Sequence, residues 1–161
     1  MKRKLPRPTR LGETVKITGH MRFTLRNAVT GEVERVIEKH NLVATVGRAV
    51  LAQRLAGNTA YSGTINYGAL GSSTTAPANG DTQLGTEVFR KLVSSQAVVS
   101  NIAYLSFFYS ASEANGTHRE FGTFIDGTAS ANTGQLFTHV AINITKTSTQ
   151  TLTIDATYTI S

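Results

Sequence analysis

The sequence contains no cysteine. Neither a disulfide framework nor a thiolate metal site can therefore contribute to its fold, and the redox compartment is left open. No stretch approaches the ~20 apolar residues of a membrane-spanning helix, so no membrane partner is expected. The first ten residues lack any acidic side chain. That basic start runs into Leu11-Gly12-Glu13 and an alternating segment, with no apolar core or cleavage site, which argues against a signal peptide. Catalytic and nucleotide-binding signatures are missing as well. Gly68-Ala-Leu-Gly-Ser72 lacks the central serine of a nucleophile elbow, and no Lys-Ser/Thr pair follows glycines 68 and 71 to complete a phosphate cradle.

The titratable residues form no recognised constellation. Histidines stand at 20, 40, 118 and 139 without a ligand spacing. His118 and Glu120, two apart, would share one face of a strand, but two ligands do not make a zinc site. The pair is expected to be solvated beside Arg119. Asp81, Glu87, Glu113, Glu120, Asp126 and Asp155 show no carboxylate pairing of the glycosidase kind, and Glu87 with Arg90 reads as an ion pair anchoring a central loop. No catalytic residue, no metal and no cofactor is expected, and an enzyme is the least favoured class.

What the sequence does contain is 161 residues, enough for one domain that buries roughly two-thirds of its unfolded surface. The net charge of +6 is unevenly spread. Lys2, Arg3, Lys4, Arg7 and Arg10 form a cationic arm, whereas the remainder is close to neutral. Residues 1–12 read as a basic N-terminal arm that a partner would have to order, and residues 13–161 as a single domain.

Between Thr14 and Arg26 apolar residues fall on odd positions and polar ones on even positions, the period of a half-buried strand. Asn27 to Gly31 reads as a hairpin turn, and Glu32 to His40 as the returning strand, favoured over a helix. The one convincing helix runs from Val46 to Ala56. Thr45 is its expected N-cap, Gly57 its stop, Val46/Val50 and Leu51/Leu55 its packing pairs, and Arg48 and Arg54 its wet face. Ile65 to Arg90 reads as strand, structured loop and strand, and Leu92 to Tyr109 as one long or two consecutive strands. Strands follow at Thr117–Ile125, Leu136–Ile144 and Thr151–Ile160, separated by the Asn115-Gly116 turn and two small-residue loops. Seven or eight antiparallel strands with one short helix describe an all-β fold, an antiparallel β-sandwich with a jelly roll as one form.

The central stretch also carries a resemblance. Leu70-Gly-Ser-Ser-Thr-Thr-Ala-Pro77 followed by Gly80-Asp-Thr-Gln-Leu-Gly-Thr-Glu-Val-Phe-Arg90 is similar to a pattern in small structural proteins of tailed-phage particles, tail or fibre-like. Asn41 to Arg48, Glu113 to Phe124 and Lys146 to Ile154 fit the same pattern in order, so it spans residues 41–161. The sequence departs from it at Phe121-Gly122-Thr123-Phe124, where an acidic residue, a glycine and an aliphatic residue ending in Phe are expected.

The resemblance implies a non-enzymatic virion protein, assembled in the host bacterial cytoplasm, that self-associates and docks on other virion proteins. Tail or neck attachment is favoured, with capsid decoration next. The arm would dock on a neighbouring protein, with nucleic acid as the alternative. Gly71, Thr74, Thr75, Pro77, Asp81, Leu84, Glu87 and Arg90 are the expected loop and subunit-contact residues. Two rival functions stay open: a host-glycan-binding module using Tyr61, Tyr67 and Tyr109, and a nucleic-acid-packaging accessory using the arm.

Overall fold

The structure is a computed structural model that describes residues 14–161. The arm cations Lys2, Arg3, Lys4, Arg7 and Arg10 lie outside the described residues. In chain order the elements are β1 (Ile17–Asn27), β2 (Val33–His40), β3 (Leu42–Val43), α1 (Thr45–Leu55), β4 (Ile65–Gly71), β5 (Glu87–Leu92), β6 (Ser95–Val99), β7 (Ile102–Tyr109), β8 (Gly116–Ile125), β9 (Gln135–Lys146) and β10 (Gln150–Ile160). They form two five-stranded antiparallel sheets, ordered β2-β1-β10-β7-β6 and β3-β9-β8-β4-β5.

Alternation in the sequence becomes two faces in the first sheet. Met21, Phe23 and Leu25 of β1, with Leu152, Ile154, Ala156 and Tyr158 of β10, are buried. The intervening residues lie on the opposite face, exposed or half-buried apart from Thr24, which is buried. β1 and β10 pair without a register slip from Ile17↔Ile160 to Asn27↔Gln150. At the β1–β2 turn, Asn27 Oδ1 accepts the N–H groups of Val29 and Thr30 at 2.9 and 3.1 Å, and Gly31 takes φ +75°. An Asx turn therefore closes the hairpin.

The core lies between the sheets. Phe121 of β8 meets Phe23 and Phe107 edge to face, with ring centres 5.8 and 5.7 Å away. Gly68 of β4 lies under Phe107, where a Cβ would come within 2.7 Å of the ring. At the other end of the core the Tyr158 hydroxyl bonds those of Thr123 and Thr138 at 2.9 and 3.0 Å, giving three buried hydroxyls mutual partners.

Several expectations need correction. Among the described residues there are ten strands and not seven or eight: Leu42–Val43 makes a short unexpected pairing with β9, and of the two readings of the 92–109 segment the two-strand one holds, the chain reversing at Ser100. Ser100 adopts φ 55°, a left-handed value that β-branched and aromatic density does not reveal. β1–β2, β4–β5, β6–β7 and β8–β9 are each paired neighbours within one sheet, unlike the strand-by-strand sheet crossings of a jelly roll.

The helix is capped by Ala44, which supplies no side-chain cap bond. Thr45 is its first helical residue, and the Thr45 N–H donates to Asn79 O at 2.9 Å, a loop carbonyl doing the work of a cap. Leu55 is 91% exposed and does not pack on the core of the described residues. Close approach comes from Gly47 instead, where a Cβ would sit 2.7 Å from Phe137 Cα. Arg48 and Arg54 are exposed.

Replacing Phe121 by Ala is expected to cost about 3–5 kcal/mol of unfolding free energy, and Gly68→Ala about 1–3 kcal/mol through overpacking against Phe107. Urea unfolding followed by tyrosine fluorescence measures both.

Candidate functional site

Three loops at the edges of the second sheet are each held by buried ionisable side chains. The largest, residues 72–86 between β4 and β5, is wound around Glu120 of β8. Its carboxylate accepts the N–H groups of Ser73, Gly85 and Thr86 at 3.2, 3.0 and 2.8 Å, and Nε2 of His139 at 2.9 Å. The opposite ring nitrogen of His139, Nδ1, donates to Asp81 Oδ2 at 2.7 Å. Each nitrogen faces a carboxylate, which offers only acceptor lone pairs, so both act as donors. Burial works against ionisation of Asp81, but the Ala78 N–H and the His139 ring outweigh it and hold the carboxyl below its usual range.

This Asp81–His139–Glu120 line is a clamp. The ring lies between the two acids and is 4% exposed, so no nitrogen faces a hydroxyl to be activated. Nor do the three side chains converge on one point, and among the described residues no group of three or more His, Asp or Glu is disposed to hold a metal. The expectation that His118 and Glu120 form a solvated pair is overturned: both are buried, at 2% and 1% exposure. The ladder slips between them, which breaks the simple alternation on which the shared solvent face rested.

Glu87 and Arg90 form the second clamp. Arg90 Nε and one terminal nitrogen donate to the two Glu87 oxygens at 2.6 and 2.8 Å, a fork-to-fork geometry. The guanidinium lies over the Phe124 and Tyr67 rings, 4.8 and 5.5 Å from their centres. Its remaining nitrogen donates to the carbonyls of Thr128 and Thr133, while Glu87 accepts the Asn132 N–H. The pair thus fastens the 126–134 loop, and not the central 72–86 loop it was expected to anchor.

The third clamp holds the β7–β8 turn. Lys146, 1% exposed, donates to Ala111 O and Asn115 Oδ1 at 3.2 and 2.9 Å. His118 Nε2 donates to Ala114 O at 2.8 Å. Burial lowers the pKa of both groups. On the outer side Glu113 bonds Lys91 and accepts the Ser110 N–H, and these contacts, the Lys91 bond first, bring its carboxyl from the usual 4.5 to about 2.

These placements sort the loop residues expected to meet a neighbouring subunit. Thr74 and Thr75 are exposed, and Pro77 and Asp81 half-buried. Gly71 and Leu84 are buried, and the Glu87 and Arg90 side chains are 2% and 4% exposed. Those four face the domain's own interior. Tyr109 is also fully buried, its hydroxyl donating to Gly68 O, so it lines no surface sugar site. Tyr61 and Tyr67 are half-buried.

Most of the exposed apolar strand residues, missed in the sequence, lie on the first sheet, with Val88 and Leu92 of β5 on the edge of the second. Val98 and Val99 of β6 are 74% and 62% exposed, and Tyr104 and Phe108 of β7 are 41% and 43% exposed. Strand periodicity marks Tyr104 and Phe108 as sharing a face, but not which face is wet.

Glu120→Gln is expected to cost about 3–5 kcal/mol, because it leaves a buried donor set facing a neutral amide, and to open residues 72–86 to limited proteolysis. Glu113 behaves differently with pH. Its folded pKa lies below its ordinary value, so its contribution is present above pH 4.5 and is lost as pH falls toward 2. The stability gap between the native chain and Glu113→Gln should therefore shrink when urea midpoints are compared from pH 6 down to pH 2.5. No helix of the described residues is long and apolar enough to cross a membrane. No family model, no curated protein and no solved structure matches the chain.

Proposed function

We propose that this chain is a non-enzymatic structural protein of a tailed-phage particle. It self-associates and docks on neighbouring virion proteins, at the tail or neck in preference to the capsid surface. One observation carries the reading: the chemically capable side chains Glu120, His139, Glu87, Arg90 and Lys146 are engaged in holding loops, while exposed apolar side chains are concentrated on the strands of the first sheet. A body built this way transmits position by contact. Repetition of modest contacts by symmetry then gives a stable assembly.

The basic arm supplies attachment in this reading. Its five cations lie ahead of a body whose residues 11–161 hold eleven basic and ten acidic side chains. A neutral body with a charged tether separates the two tasks, self-association and docking.

Sedimentation of the purified chain is expected to show a defined oligomer that persists when residues 1–10 are removed. The truncated chain is expected to lose its retention on particles. A monomer at every concentration, with particle retention unchanged by the truncation, would sink the proposal.

A further inference from the structure

Four strands form the edges of the two sheets: β2 and β6 in the first, β3 and β5 in the second. An edge strand presents unpaired backbone groups to any chain that reaches it, and charges, brevity or irregularity normally guard it. β2 carries Glu34, Arg35, Glu38 and Lys39 among its eight residues. β3 has only two residues, and β5 carries Glu87, Arg90 and Lys91 with a register shift at its start. Among the described residues β6 has none of these guards. Its sequence is Ser-Gln-Ala-Val-Val, and every residue is exposed.

We propose that β6 pairs antiparallel with β6 of a second copy about a two-fold axis at Ala97, joining two five-stranded sheets into one continuous sheet. The inference rests on the self-association reading and names its surface. β6 is already held in strand form, paired to β7 from Ser95↔Ser106 to Val99↔Ile102 and tied by Gln96 Nε2 to Ile65 O at 3.1 Å. Little ordering is left for association to pay for.

A second copy is the occupant that fits. The axis at Ala97 sets Ser95 opposite Val99 and Gln96 opposite Val98. Residues of the same parity oppose each other, so both outer faces stay on one side of the joined sheet. No charge meets a like charge. Pairing with a β2 edge would instead set neutral residues against Glu34, Arg35, Glu38 and Lys39. Ala97, the residue on the axis, brings the smallest side chain where the two copies come closest. A five-residue edge buries less than the ~800 Å² per partner of a standard interface. Each contact is accordingly weak alone and is strengthened by repetition in an assembly.

The absence of cysteine makes the test direct. Directly opposed residues of an antiparallel pair have Cα atoms about 4.5–5.5 Å apart, within reach of a disulfide. In the full chain, Ala97→Cys is expected to form a covalent dimer under mild oxidation, whereas Val36→Cys on the β2 edge stays monomeric on a non-reducing gel. Ala97→Lys opposes two like charges on the axis. It is expected to weaken self-association at least tenfold in sedimentation equilibrium while leaving the urea midpoint unchanged. If the native chain self-associates but Ala97→Lys has no effect and Ala97→Cys does not cross-link, the edge proposal falls and self-association stands. Cross-linking only when Ala97→Cys and Val36→Cys chains are mixed would show β6 joined to β2 and overturn the two-fold. A native chain that is monomeric at every concentration overturns both readings.

Discussion

A single carboxylate fixes the longest loop of the protein. The Glu120 carboxyl group sits at 1% exposure, a placement that is costly unless hydrogen-bond donors replace the lost water. Three backbone N–H groups and one imidazole nitrogen do so. The arrangement constrains its neighbours. Gly71, paired with Glu120 across the ladder, has no room for a Cβ, which would lie 2.3 Å from Oε1. At Gly85 a Cβ would lie 2.5 Å from Ser73 Oγ. The glycines of this segment therefore permit close approach of backbone to a charged group, beyond any freedom they give the turn.

The same device recurs with the charge reversed. Arg90 gathers the carbonyls of the 126–134 loop, and Lys146 those of the β7–β8 turn. Each loop is thereby tied to a strand of the second sheet. On the outer face of the first sheet, Glu38, Arg22 and Asp155 stand side by side across β2, β1 and β10, a row of alternating sign, while threonines occupy most of the other positions on β10. One sheet fastens the loops, and the other offers a surface.

The sequence made some of this plain and hid the rest for physical reasons. β1 and β10 were legible because each is buried on one face only, so period two survives in the residue order. The Glu87–Arg90 pair was legible because its partners are three residues apart. Glu120, His139 and Asp81 were not, since they are separated by 19 and 58 positions and meet only when β8, β9 and the 72–86 loop are in place. The bulge at His118/Glu120 made local spacing misleading. In the helix, apolar periodicity identified buried Val50 and half-buried Val46 and Leu51 as contacts, but it also suggested Leu55, which is exposed, and missed Gly47, whose lack of a side chain allows close approach to β9.

The pairing of β1 with β10 has a mechanical consequence. Ile17 and Ile160 are opposite one another, so the described chain enters and leaves the body at the same end of one ladder. Tension between those two points would peel the ladder open one rung at a time. Tension between Ile17 and the distant turn at Thr149 would load every rung in parallel and meet far greater resistance. Whether a pull unzips or shears this body is thus decided by where it is grasped, with no change in the bonds themselves.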